Sequence, residues 1–216
     1  MFTASLVASD RAHPEDAVLV IENDAGTALV VADGAGGIAG GARAAQLVIA
    51  SFAAAMADAF GAPPTSQSWC RFLCQLDEQL ARDAAAGEAT AVVASIHEGV
   101  VVGASVGDSE AWLVSSAERR DLTAAQQKAR LGSNRASPVG FEATVVPDSI
   151  MLAATDGLFR SAPADAICSA LRGSPSPSPA KLVALARSSS GKLYDDVGLV
   201  VVASMCGTAL ACQRGG

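Results

Sequence analysis

The sequence predicts an α+β fold, a four-layer αββα sandwich of two antiparallel sheets flanked by pairs of antiparallel helices. Two patterns indicate it: short apolar segments follow one another across tight turns, and amphipathic segments come in consecutive pairs between them. Half of the 216 residues are hydrophobic, which suffices for a large buried core. This length suits one domain, expected over residues 1–205, followed by a short tail at 206–216.

The predicted strands are short apolar segments bounded by turn residues. The turn sequences at residues 23–26 and 147–149 are each predicted to close a hairpin between neighbouring strands. The polar segment 118–138 is expected to be irregular. The strands predicted in this way are residues 2–8, 17–22, 27–32, 90–96, 100–106, 111–115, 143–146, 150–154 and 199–203.

The predicted helices show apolar side chains at helical spacing. Pro63 and Pro64 separate the first two helices, and Thr65 or Ser66 can cap the second. In that second helix the spacing turns Asp77 towards solvent. A Ser-Pro connector at residues 174–179 separates the last two helices. The helices predicted in this way are residues 40–60, a second helix that follows the cap at residue 65 or 66 and includes residues 69–82, and residues 162–171 and 180–190.

Charge and cysteine content narrow the possible partners and location. The net charge of −7 argues against nucleic acid, which requires clustered Lys and Arg. No apolar run is long enough for a membrane span, and the N-terminus lacks signal-peptide features, so no membrane association is expected. Five cysteines without a Cys-x-x-Cys pair indicate a reduced, cytoplasmic setting.

Two short motifs suggest other functions and are disfavoured by their surroundings. Residues 34–39 fit a dinucleotide-binding glycine loop, but a second helix follows where that fold needs a parallel strand. Residues 103–107 fit the Gly-x-Ser-x-Gly nucleophile elbow, but no helix follows them and the surroundings are strand-like.

Aspartates recur where apolar strands begin or end, in both halves of the chain. Such a cluster of carboxylates repels itself and therefore implies bound divalent cations. Ligands that are all oxygen favour Mg²⁺ or Mn²⁺ over zinc. The aspartates in question are Asp16, Asp33, Asp108, Asp156, Asp195 and Asp196.

Six motifs in order resemble the metal-dependent protein phosphatase 2C family, over residues 11–202. Each motif is weak alone, but their order and spacing together are specific. The family's fold is a β-sandwich with helix pairs outside, in agreement with the pattern above. The motifs are Arg11-x-x-x-Glu15-Asp16, Val31-Ala32-Asp33-Gly34-x-Gly36-Gly37, Thr90-Ala91-Val92-Val93, Gly107-Asp108-Ser109, Thr155-Asp156-Gly157-Leu158 and Asp195-Asp196-Val197.

The resemblance implies two core Mn²⁺ or Mg²⁺ ions, with a weaker third. Asp33 corresponds to the carboxylate that bridges the two ions, and Gly34 to a carbonyl ligand. Asp156 and Asp195 correspond to further ligands of one ion. The ions would activate a water molecule for in-line attack on phosphorus.

The remaining motif positions are given roles by the same resemblance. Glu15 and Asp16 correspond to the family's first acidic pair, which acts directly or through water. Arg11 corresponds to the phosphate-binding arginine, whose guanidinium fork suits two phosphate oxygens. Asp108 corresponds to the carboxylate of the third, weaker ion.

The activity implied is that of a serine/threonine protein phosphatase. Its expected partners are phosphorylated proteins and a cognate Ser/Thr kinase or that kinase's targets. Two alternatives stay open: a pseudophosphatase that serves as a binding or regulatory module, and a phosphatase of small phosphorylated metabolites.

Several positions depart from the family pattern. Ala35 and Ile38 stand where members often carry histidine, and Glu110 replaces the usual arginine after Gly-Asp-Ser. Pro14 precedes the acidic pair, and the segment between residues 122 and 156 is shorter than usual. The proton donor to the leaving group is therefore open between water on the third ion and His13.

Overall fold

The computed structural model describes residues 1–24, 26–35, 40–58, 63–172 and 176–203. The strands are β1 (Phe2–Ala8), β2 (Asp16–Asn23), β3 (Gly26–Gly34), β4 (Ala89–His97), β5 (Val100–Val106), β6 (Glu110–Val114), β7 (Arg119–Asp121), β8 (Val139–Thr144), β9 (Ile150–Ala154) and β10 (Val197–Ala203). The helices are α1 (Gly41–Asp58), α2 (Ser66–Arg82), α3 (Asp156–Ser161), α4 (Ala164–Arg172) and α5 (Pro179–Ala186).

The strands form two five-stranded antiparallel sheets. One has the order β2-β3-β4-β5-β8 and packs against α1 and α2. The other has the order β1-β10-β9-β6-β7 and packs against α3, α4 and α5. A third apolar cluster, which includes Leu29, Val92 and Val200, lies between the sheets. The predicted four-layer sandwich is thus confirmed, with three helices rather than a pair in its second outer layer.

Alternation along the strands explains the layers. In β3, Val30 and Ala32 face the helices while Leu29 and Val31 face the other sheet, and all four are fully buried. A strand buried on both faces is continuously apolar, as this one is. None of the helices in the described ranges combines the length and apolar character needed to cross a bilayer.

The hairpin predicted around residues 147–149 is wrong. Strand β8 pairs with β5 in one sheet, whereas β9 pairs with β6 and β10 in the other. The tight turn is present, with Ser149 N–H donating to the Val146 carbonyl at 3.1 Å. This turn carries the chain from one sheet to the other. The turn sequence therefore predicted the position of the bend correctly, but the pairing of the two flanking strands was predicted wrongly.

Two elements were not predicted. Helix α3 begins at Asp156, directly after the last residue of β9 and the N-cap Thr155, and its six residues are too few for a periodic pattern. Strand β7 is a polar, three-residue edge strand within the segment predicted to be irregular. Both are held by neighbours in space rather than by their own sequence preference.

Asp77 on α2 is buried rather than turned to solvent as predicted. Its carboxylate accepts three backbone N–H groups, from Gly132 at 2.7 Å, Asn134 at 3.0 Å and Ala136 at 3.0 Å. These bonds fasten the segment between β7 and β8 to α2. The helical pattern could not reveal this, because the partners lie more than 50 positions away in the sequence.

We expect Asp77→Ala to lower the free energy of unfolding by about 2–4 kcal/mol, because three partly buried backbone donors lose their buried acceptor and water replaces it only in part. Chemical denaturation of the purified chain measures this change. Glu78→Ala on the exposed face of the same helix is the matched control and should stay within about 0.5 kcal/mol. Equal stability of the two variants would contradict the anchoring role.

Candidate metal centre

The aspartates singled out in the sequence converge at one edge of the sandwich. Asp16 begins β2 and lies opposite Asp33 in the register of β2 with β3. Asp156 follows β9, Asp195 precedes β10, and Asp108 follows β5 after Gly107. Because β2, β3 and β5 belong to one sheet and β9 and β10 to the other, the two sheets meet at this edge. We call these five residues the acidic cluster.

Three members of the acidic cluster form a potential ligand set. One carboxylate oxygen from each of Asp33, Asp108 and Asp156 lies within 4.8 Å of the others. The Oδ1 atom of Asp108 is buried and has no hydrogen-bond partner among the described residues. An unpaired buried carboxylate oxygen is costly, and a hard divalent cation would satisfy it. The donor chemistry therefore fits Mg²⁺ or Mn²⁺.

Asp16 connects the two sheets. Its Oδ2 accepts hydrogen bonds from Thr155 Oγ1 and from the backbone N–H of Gly198, both at 2.7 Å. Its carboxyl group faces that of Asp33, because the two residues are opposite each other in the register of β2 with β3. Asp16 thereby holds the first residues of β2 against β9 and β10. Because β3 pairs with β2, these bonds also fix the position of Asp33.

The electrostatics of the acidic cluster oppose full ionisation. Burial, followed by repulsion from Asp16 and Asp156, raises the pKa of Asp33 from 3.8 to about 9. Burial likewise raises the pKa of Asp16 to about 7 and that of Asp156 above its ordinary value. A cation that displaces these protons would remove the repulsion.

Arg11 lies beside the acidic cluster on the exposed side. Its guanidinium contacts Asp195 Oδ1 at 2.9 Å, Glu15 Oε2 at 3.4 Å and Asp196 Oδ2 at 3.8 Å. The side chain is 43% exposed, so it can reach a ligand that enters from solvent. Glu15 is partly buried, and its backbone carbonyl accepts the N–H of Gly34 at 3.0 Å.

The sequence placed Asp196 among the clustered aspartates without a distinct role and did not single out Ser9, and the structure shows that both support the site. Asp196 is buried and accepts hydrogen bonds from Ser9 Oγ and from the backbone N–H of Glu15 at 2.8 Å. It therefore fixes the loop that carries Arg11 and Glu15. The consecutive aspartates before β10 indicated a functional position in the sequence. Only their contacts in the structure distinguish Asp195, which pairs with Arg11, from Asp196, which supports the loop.

Glycine is required at two motif positions because backbones approach closely there. A Cβ at Gly34 would lie 2.2 Å from the carbonyl oxygen of Gly41, at the start of α1. A Cβ at Gly157 would lie 1.9 Å from the carbonyl oxygen of Asp196. These contacts bring α1 to the end of β3, and α3 to the residues before β10.

The departures from the family pattern have structural consequences. Ala35 is buried, and Ile38 lies outside the described residues. Glu110 accepts a hydrogen bond from Trp112 Nε1 at 2.7 Å, and burial raises the pKa of its carboxyl group. His13 and Pro14 are exposed, in the loop between β1 and β2. The donor of a proton to a leaving group therefore stays an open prediction.

Solved structures of bacterial phosphatases have the same fold. A bacterial serine phosphatase with an arginine-to-alanine substitution superposes with a TM-score of 0.80 at 24% identity, covering 94% of this chain and 97% of its own. Serine/threonine phosphatase Stp1 from Staphylococcus aureus gives 0.76 at 21%, covering 95% of each chain. The catalytic domain of PstP, solved with two manganese ions, gives 0.75 at 22%, covering 94% and 99%.

These likenesses establish that the chain has the phosphatase 2C fold. No protein-family model and no curated protein matched the sequence.

In the metal-free protein, the free energy of unfolding should fall as pH rises. The pKa of Asp33 is higher in the folded state, near 9, than the unfolded value of 3.8, so the folded state binds more protons between those values. Melting temperature in chelator, measured from about pH 5.5 to about pH 8.5, tests this sign. Asp33→Asn should reduce the dependence of the melting temperature on pH. The same dependence in that variant and in the wild type would contradict a raised pKa of Asp33 as its cause.

Saturating Mn²⁺ should raise the melting temperature. A ligand at about 100 times its dissociation constant stabilises by about 2.7 kcal/mol, which corresponds to roughly 5–10 °C for a chain of this size. Asp33→Asn should lose most of the shift. Asp148→Asn, a substitution at an exposed turn, is the matched control and should retain it.

Proposed function

We propose that this protein is a metal-dependent phosphatase that hydrolyses phosphoserine and phosphothreonine in proteins. The observation that carries the proposal is the three-carboxylate group of Asp33, Asp108 and Asp156, with its unpaired buried oxygen, at the edge where the two sheets meet. The solved structures with this fold that are named above are serine or serine/threonine phosphatases, and one of them holds two manganese ions.

The residues that would hold the ions come from both sheets. Asp33 would bridge them, with Asp156 and Asp195 on one ion and the Gly34 carbonyl and Glu15 on the other. Asp108 shares the ligand group of Asp33 and Asp156, so its carboxylate would bind a cation beside them. When bound, such ions polarise the phosphoryl oxygens and lower the pKa of a water molecule.

The chain's own part in the reaction is orientation and charge. Asp16 is held by Thr155 and Gly198, and it acts as a positioning residue for Asp33. Arg11 would bind two phosphate oxygens, after giving up one of its present carboxylate contacts. The loop that carries Arg11 is already fixed by Asp196, so little ordering is required when substrate binds.

The partners and location follow from the same proposal. A protein phosphatase of this kind acts on the targets of a Ser/Thr kinase, so we propose such a kinase as its functional partner. A cytoplasmic setting is proposed from the cysteine pattern. The thiols of Cys70, Cys74 and Cys168 are all free in the structure.

Hydrolysis of a generic aryl phosphate should require Mn²⁺ or Mg²⁺ and should be lost in chelator. Asp33→Asn should reduce turnover by roughly 100-fold or more, because it removes the charge that both ions share. Asp148→Asn again serves as the control and should keep wild-type activity. Full activity in chelator, or in Asp33→Asn, would contradict metal dependence at this site, whereas no hydrolysis with either metal would favour a binding module.

Arg11→Ala should lower kcat/KM for phosphosubstrates by roughly 10–100-fold, mainly through KM, because a charge-assisted fork to phosphate is lost. Arg43→Ala removes an exposed arginine that pairs with Asp83 on another part of the surface and is the matched control. Unchanged kinetics in Arg11→Ala would show that its contacts with Glu15 and Asp195 are structural only. Comparing phosphopeptides with small phosphorylated metabolites separates the two substrate classes.

A further inference from the structure

A groove next to the acidic cluster is not explained by the reaction itself. It has a volume of about 400 Å³ and lies between α3 and the loop after α5. We call it the arginine groove. Its lining residues are Gly157, Arg160, Ser161, Ala186, Arg187, Ser188, Tyr194 and Asp195.

The arginine groove is continuous with the candidate metal centre. Asp195 lines it directly, and Gly157 follows Asp156 in the chain. An extended peptide advances about 3.3–3.6 Å per residue. A residue within about three positions of a phosphoserine placed at the acidic cluster could therefore reach this groove.

We propose that the arginine groove is a substrate subsite for an anionic side chain near the phosphorylated residue, and that Arg160 recognises it. This proposal rests on the proposed phosphatase function and adds a preference for acidic or multiply phosphorylated sequences. The ligand is a carboxylate or a second phosphate group.

Arg160 is positioned and charged for that role. Its side chain is 73% exposed, and within the described residues its ion pair runs from Nη1 to Asp156 Oδ2 at 2.9 Å. Asp156 is also a candidate metal ligand, so a cation would take over the carboxylate that now balances Arg160. Metal binding thereby frees a guanidinium at the wall of the groove, where a substrate anion can replace Asp156 as its partner.

Arg187 and Tyr194 shape the groove. Arg187 donates to the Gly191 carbonyl at 2.6 Å and pairs with Asp10 at 3.2 Å, and Asp10 also accepts the N–H of Leu193 at 2.9 Å. Arg187 is thus a positioning residue for the loop that ends at Asp195. Tyr194 is 80% exposed, so its ring is free to pack against a peptide.

The negative net charge of the chain means that a cationic subsite would strongly affect which peptides bind. With a net charge of −7, most of the surface repels an acidic peptide. An anionic flanking residue gains attraction only where arginines face it. Arg160 provides that attraction in the arginine groove, whose walls are α3 and the loop after α5.

The test uses the full Mn²⁺-loaded chain and a series of phosphothreonine peptides. At each position within about three residues of the phosphothreonine, the series carries alanine, glutamate or a non-hydrolysable phosphonate analogue of phosphoserine. The readout is the ratio of kcat/KM for the anionic peptide to that for the alanine peptide. This ratio cancels any general change in metal loading.

We expect the wild-type ratio to be roughly 3- to 10-fold at one or two positions. Arg160→Gln should reduce it to about one. Arg82→Gln is the matched control, because Arg82 is an exposed arginine with the same i,i+4 pairing, to Glu78 at 3.0 Å on α2. A larger ratio for glutamate than for the phosphonate identifies acidic sequences as the preferred class, and the reverse identifies multiply phosphorylated ones.

A wild-type ratio near one at every position, or a ratio that persists in Arg160→Gln, would overturn the subsite. Failure of the phosphatase function has a different signature, which is no hydrolysis of any peptide or aryl phosphate. In that case fluorescence anisotropy of the same labelled peptides decides the subsite by binding alone. Preferential binding of anionic peptides that Arg160→Gln abolishes supports it, and equal affinities for all peptides reject it.

Discussion

The structure depends on one electrostatic constraint, the burial of two facing carboxyl groups where the sheets meet. Asp16 and Asp33 lie opposite each other at the ends of β2 and β3, and burial, followed by repulsion from neighbouring carboxylates, raises the pKa of both. Asp16 is at the same time the acceptor that holds β9 and β10 to β2, through Thr155 and Gly198. The joint between the two halves of the sandwich is therefore built from a group whose charge is costly without a cation. The buried carboxyl groups therefore lower the stability of the metal-free fold at the place where they would bind a cation.

The support around this joint is arranged so that the exposed groups need not move far. Asp196 is buried and fixes the loop of Arg11 and Glu15 by hydrogen bonds to Ser9 and to the Glu15 backbone. Arg11 in turn lies against Asp195. A cation in the acidic cluster would draw on Asp195 and loosen that ion pair, just as it would loosen the pair of Asp156 with Arg160. Under the proposed ligand set, metal binding would therefore be coupled to the availability of both guanidinium groups for an anionic substrate through shared carboxylates.

Much of this could be predicted from the sequence, because the relevant signals are local. The continuous apolar run of β3 and the turn after it locate Asp33, and the four-residue spacing locates α1. Three features could not be predicted, because they depend on contacts between distant segments. They are the strand that pairs with β8, the burial of Asp77, and the different roles of Asp195 and Asp196. A turn sequence states that the chain bends and not which sheet it enters, and a polar residue on a helix does not show what loop will cover it. Helix α3 is too short to carry a pattern of its own.

The replacement of the family's arginine by Glu110 alters the charge balance beside Asp108. Glu110 is two residues further on and its carboxylate is turned to Trp112 Nε1, while Arg119 lies 4.3 Å above the indole ring. The guanidinium of Arg119 thus packs on the aromatic ring of Trp112 and not against the acidic cluster. Asp108 keeps a buried oxygen without a partner among the described residues, and its charge adds to the repulsion on Asp156 and Glu110. Since Glu110 replaces an arginine here, no cationic side chain adjoins Asp108 in the chain, and a bound cation would satisfy its unpaired oxygen. This departure therefore favours metal binding by the acidic cluster.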